Sequence, residues 1–215
     1  MYRLADKLLE QLKKLIRREF NRLGILGFDE LNAPRVTAET TELFDRLMSE
    51  NKKQYLKAAQ KAYADAVALA VAAGYTETGG NKISEVWLVG LLASYNFVSG
   101  YLYESEAERK RLRLAEQMMT AREYLNRTLY NDSVRRSANL WWTQTAHYML
   151  DAVDTATLDG YKDSGVEKVK WNTNVDGREC ATCRERNGKV YSIDNVPPKA
   201  HRNCRCYITP VPKSE

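Results

Sequence analysis

The chain has 215 residues, 44% of them hydrophobic and 28% charged, the composition of an ordinary globular protein with room for one large domain or a helical domain and a small appendage. The formal net charge of +5 is modest, and residues 166–215 carry most of it, with ten Lys or Arg against six Asp or Glu. Such a tail suits a polyanion or an acidic protein surface no better than it suits an ordinary solvated surface.

Residues 2–23 predict an amphipathic helix. Leu4, Leu8, Leu12 and Ile16 recur every fourth residue, with Leu9, Leu15 and Phe20 widening the stripe. The charge along this stretch leaves no uninterrupted apolar core, so no secretory leader is expected. Gly24 and Gly27 end the helix, Pro34 falls in the connection, and Thr37 or Thr40 is the expected N-cap of a second helix. That helix is expected to run to about Ala73, with Gly74 as its C-cap. Its alanine-rich second half admits a close neighbour, while Tyr63, Val67, Leu69 and Val71 anchor it.

Gly79, Gly80 and Asn81 break the chain, and Ser84 caps the next helix. Residues 86–103 hold no charged side chain, which is near membrane-spanning length. Gly90, Ser94, Asn96, Ser99 and Gly100 weaken a lipid-facing helix, and Glu104, Glu106 and Glu108 come directly after its end. The segment therefore reads as a helix buried in a core or a subunit interface. A charged helix over residues 104–127 comes next, with Met118 and Met119 as core filling. Asn131, Asp132 and Ser133 mark a turn and cap before a long helix from Val134 to about Tyr161, stopped by Gly165.

The pattern then changes. Residues 166–171 hold β-formers and read as a strand, and residues 174–177 have turn chemistry. Asn187 and Gly188 form a hairpin turn between Arg186 and Lys189, Pro197 and Pro198 stiffen a loop, and residues 206–209 make a last strand. The expected fold class is α+β: long α-helices with a small C-terminal β-rich subdomain resembling a zinc knuckle. The expected division is an N-terminal helical region at 1–80, a second helical region at 81–165, and the tail at 166–215.

All four cysteines lie in that tail, with one of the two histidines. Cys180 and Cys183 form a C-x2-C pair; His201, Cys204 and Cys206 form H-x2-C-x-C. These are five soft donors where a tetrahedral ion needs four. A tight turn can present both sulfurs of the first pair, and an extended strand points both sulfurs of the second the same way. Thiolates and imidazole select zinc over calcium or magnesium, and a small β element gains from a metal cross-link. The competing readings are reduced buried thiols, disulfides formed outside the cytoplasm, and a four-cysteine site with His201 as a loop residue. Asp176, Arg178, Asn203 and Arg205 interleave with the donors and would brace the loops by charge-assisted hydrogen bonds. A catalytic reading would use Cys180 and His201 as a nucleophile pair, or a zinc-activated water. It is disfavoured because four protein ligands leave no open position and no familiar hydrolase motif is present. His147 stands alone on a helix and reads as a surface or core residue.

The run from Gly165 through Trp171, Asp176, Arg178, Cys180, Cys183 and Gly188 to Tyr191 resembles the phage Mu protein F-like family of minor head proteins, also called head morphogenesis proteins. Its continuation, Pro197 and Pro198 and then His201, Asn203, Cys204, Arg205 and Cys206, is similar to the family's closing signature. The resemblance covers residues 134–165 more loosely. Two departures stand out: the family's Thr-Glu pair is replaced by Thr143-Gln144, and the proline between His and Asn is Arg202.

The resemblance implies a structural minor capsid protein and no enzyme. It implies a place at the portal vertex or in the head interior, and in the host cytoplasm during assembly. The implied partners are the portal protein or the major capsid protein, with packaged DNA as a further contact and no membrane. Residues 81–165 would be the helical part of the head-morphogenesis domain. Toxin or enzyme domains, which some relatives carry after the signature, are not expected after Glu215. Two other classes remain open: a nucleic-acid-binding zinc module presenting Arg178, Arg184, Arg186, Lys189, Arg202 and Arg205 to phosphates, and a thiol- or zinc-dependent hydrolase.

Overall fold

The computed structural model describes residues 2–76, 79–94, 102–174, 179–201 and 204–213. Among them the helices are α1 (Arg3–Gly24), α2 (Ala33–Ala72), α3 (Glu85–Ala93), α4 (Tyr103–Glu123), α5 (Arg127–Asp163) and α6 (Ala181–Arg186). The strands are β1 (Lys168–Asn172), β2 (Val190–Ser192) and β3 (Tyr207–Pro210). The fold is α+β, mostly helical with a small C-terminal sheet.

α1 forms where the apolar period lies. Leu8, Leu12, Ile16, Phe20 and Leu23 are buried along one face. α2 starts earlier than expected. Asn32, not a threonine, caps it, its Oδ1 accepting from the Arg35 N–H at 3.0 Å. Pro34 lies inside its first turn rather than in the connection, where a missing N–H costs nothing. Thr40 is mid-helix, its hydroxyl donating to the Val36 carbonyl at 2.8 Å. At the other end Gly74 adopts φ +90, and the Tyr75 N–H reaches the Ala70 carbonyl at 3.0 Å.

Ser84 does cap α3, its Oγ accepting from the Trp87 N–H at 3.3 Å. The helix is not wholly buried, however. Leu88 and Leu92 face inward, while Val86 and Val89 are 82% and 60% exposed. Residues 95–101 of the expected apolar helix lie outside the described residues. No helix among the described residues is long and apolar enough to cross a membrane. α5 begins seven residues before the expected position. Asn131, Asp132 and Ser133 sit inside it, and Asn126 caps it by accepting from the Leu129 N–H at 2.9 Å. The triplet does not break the helix: Asn131 is exposed, Asp132 half-buried and Ser133 buried within it.

The chain divides into two compact units. One, the tail unit, comprises Met1–Ala5, Tyr55–Leu88 and Met149–Glu215; the other, the helical unit, comprises Asp6–Gln54 and Val89–Tyr148. In the helical unit, aromatic rings stack edge to face in the core: Phe44 on Trp141 at 5.1 Å and Tyr103 on Tyr148 at 4.9 Å. Asn51 of α2 ties three helices together, donating to the Tyr103 hydroxyl of α4 at 3.2 Å and to Thr145 Oγ1 of α5 at 3.0 Å.

In the tail unit the small residues of α2 meet α5 closely. A Cβ on Gly160 would stand 2.9 Å from both the Tyr63 carbonyl oxygen and the Ala66 Cβ. Ala66, Ala70, Tyr161, Val166, Val169 and Ile193 form one buried cluster that fixes the sheet on these helices. The sheet order is β2-β1-β3, antiparallel throughout, with Lys170 opposite Val190 on one side and Thr209 on the other. Asn187 and Gly188 do not make a hairpin turn between two strands, because α6 fills the space before them. Gly188, at φ +78, turns the chain from α6 into β2, and its N–H donates to the Trp171 carbonyl at 2.8 Å.

Candidate metal centre

The C-x2-C pair opens α6. Cys180 is its N-cap, and its Sγ accepts from the Cys183 N–H at 3.4 Å. One helical turn thus puts both sulfurs on one side. That backbone donor lowers the Cys180 thiol from its usual range, with the Cys183 side chain next in effect. Cys183 is 1% exposed, and burial pushes its thiol well up, with the neighbouring thiols of Cys180, Cys206 and Cys204 adding to the effect.

The second group of donors comes from the loop before β3. His201 Nε2 lies 3.6 Å from Cys183 Sγ, and Cys204 Sγ lies 3.5 Å from it. Cys204 and Cys206 are both buried, and they pack with Cys183 against Trp171. All five expected donors therefore come together. They form two groups, Cys180 with Cys183 and His201, and Cys183 with Cys204 and Cys206. Within each group the donor atoms lie within 4.8 Å of one another. Thiol sulfurs this close, with little water around them, are what an ion of the zinc class would draw together.

Of the residues expected to brace the loops, Asp176, Arg178 and Asn203 lie outside the described residues. Arg205 holds its guanidinium 5.4 Å from the Tyr2 ring. His147 is buried in the helical unit beside Tyr148, away from the donor residues in sequence and in a different unit.

The residues that support the donors were not among those expected. The Thr173 hydroxyl donates to the Cys183 carbonyl at 2.7 Å and accepts from the Cys206 thiol at 3.7 Å. Tyr2, Asp154 and Lys199 form a second support behind Cys206. The Tyr2 hydroxyl lies 2.6 Å from Asp154 Oδ1 and 2.8 Å from the Cys206 carbonyl. Lys199 Nζ is 3.2 Å from Asp154 Oδ2 and donates to Tyr2 Oη at 2.9 Å and to the Cys206 carbonyl. Burial raises the Asp154 carboxyl, opposed by the Lys199 charge and the Tyr2 hydrogen bond. Burial also raises the Tyr2 phenol, with the Asp154 charge next. Nothing local in the sequence marks these three; only the lysine lies near a motif.

Residues 105–209, about half of the chain, match the family described as Phage Mu protein F like protein. No curated protein and no solved structure matches the chain.

Proposed function

Since the chain belongs, through residues 105–209, to the phage Mu protein F-like family of head morphogenesis proteins, we propose that it is a structural minor component of the phage head. In this reading it docks on the portal or the major capsid protein, and its cysteine and histidine cluster is a structural zinc centre. The observation that carries the reading is the span of the match. It runs from α4 to β3 and so takes in every donor together with α5.

Bound zinc would supply a cross-link that a three-stranded sheet cannot obtain from its own small core. Four of Cys180, Cys183, His201, Cys204 and Cys206 would hold it. Thr173 and the Tyr2–Asp154–Lys199 group fix the backbone carbonyls of Cys183 and Cys206, so the donors are aimed before the ion arrives. Burial and a raised thiol argue against Cys183 as a nucleophile, which needs exposure and a lowered thiol. Cys180, half-exposed with a lowered thiol in the His201 group, meets that requirement. The structural reading therefore rests on the family match and the full donor set.

The experiment is the protein inventory of purified heads, with chemical cross-linking to the portal. Recovery of the chain in heads, cross-linked to portal or major capsid protein, is expected. Heads that assemble normally and lack it would remove the structural reading. Contact with packaged DNA is a second reading. It is favoured by β1, where Lys168 and Lys170 are exposed while Val169 and Trp171 are buried, so two cations share the solvent face of the sheet. DNA binding that weakens steeply with salt would support it, and binding indifferent to salt would not.

A further inference from the structure

The five donors do not form one four-cornered cage. Among the described residues they fall into two groups of three, and no four of them lie mutually within 4.8 Å. Four ligands on a single zinc, with bonds of about 2.0–2.3 Å, stand within about 4 Å of one another. One ion would therefore require the two groups to close on each other. Each group of three needs only a small closure to take an ion with three protein ligands and one position left open to water.

Cys183 alone belongs to both groups, with His201 Nε2 3.6 Å to one side and Cys204 Sγ 3.5 Å to the other. A thiolate sulfur has lone pairs enough for two ions. Charge points the same way. Four thiolates and a neutral imidazole are neutralised by two divalent ions. A single ion on four of the donors would leave the fifth outside its shell. We propose that the cluster binds two ions of the zinc class, one in each group, sharing the Cys183 thiolate. The proposal rests on the zinc reading above and specifies it.

The test is stoichiometry on the full chain. The protein is stripped of metal under reducing conditions, reloaded with excess zinc, freed of unbound metal and weighed intact by native mass spectrometry. Two zinc ions per chain are expected. Cys180→Ser and Cys206→Ser, each removing a donor from one group only, should each bind one, and Cys183→Ser should bind less than one. One zinc per chain at saturation would overturn the shared site and leave the structural zinc reading standing. No zinc at all would overturn both. The count on the unsubstituted chain decides, so a variant that misfolds does not blur the result.

Discussion

Cys183 is held between two demands. Burial keeps its thiol protonated in the metal-free fold, and a metal needs it as thiolate. The two states should therefore depend on pH in opposite directions. In chelated protein the folded thiol titrates above the unfolded one, so its contribution is fully present below the unfolded value of about 8.5 and is lost as pH rises past it. Zinc-loaded protein should instead lose stability as pH falls, because protons compete with the ion. Urea midpoints with chelator and with zinc, between about pH 6 and about pH 10, check this; parallel slopes would mean that the donor cluster binds no metal.

Tyr2 gives a second prediction at this scale. Its single proton can serve only one of Asp154 and the Cys206 carbonyl at a time, with Lys199 supporting both. Tyr2→Phe removes that hydroxyl from a nearly closed group and should cost about 1–3 kcal/mol. Denaturation of the zinc-loaded protein measures it, and no change would mean that Lys199 alone holds the loop. The donors are legible in the sequence because ligand spacing is local: two residues between Cys180 and Cys183, and two between His201 and Cys204. Tyr2 and Asp154 are 152 residues apart, and only the folded chain brings them together.

At the scale of elements, apolar period marks where the helices run, and caps are the harder signal. α1 and the end of α2 obey the period and the glycines. The starts of α2 and α5 differ because one Asn with the right geometry outcompetes a nearby Thr or a polar triplet. The hairpin expected at Asn187 and Gly188 fails for a related reason. Asn-Gly suits the exit from a short helix as well as a two-residue turn, and the thiol cap on α6 decides between them. The close approach of α2 and α5 is legible only as an alanine-rich stretch, since the partner at Gly160 is ninety-four residues beyond Ala66. Gly160 is the sharpest test of that packing. A methyl there gains up to about 1 kcal/mol of helix propensity, but it meets a backbone oxygen that cannot move aside. Gly160→Ala should destabilise the fold by about 1–3 kcal/mol, read as a lower urea midpoint. An unchanged midpoint would show that the two helices can part at that point.

At the scale of the molecule, the tail unit has two anchors, with Val196 and Ile208 packed against both. One is the apolar cluster of Ala66, Ala70, Tyr161, Val166, Val169 and Ile193, which owes nothing to metal. The other is the donor cluster, packed on Trp171. Between them runs β1, whose Val169 belongs to the first and whose Trp171 belongs to the second. Removing a shared donor should therefore open the tail in part, not altogether. In Cys183→Ser the loops carrying α6 and His201 should become sensitive to protease, while β1 stays fixed through Val169. The helical unit, whose aromatic core contains no donor, should remain intact. If head assembly needs a folded tail, particles should then carry little of the variant chain. A catalytic thiol predicts another outcome: a well-folded, protease-resistant variant incorporated at the normal level and inactive. Limited proteolysis of Cys183→Ser, beside a count of the chain in purified heads, separates the two. Normal incorporation with a resistant tail would sink the structural role and favour the enzymatic one, with Cys180 and His201 as its pair.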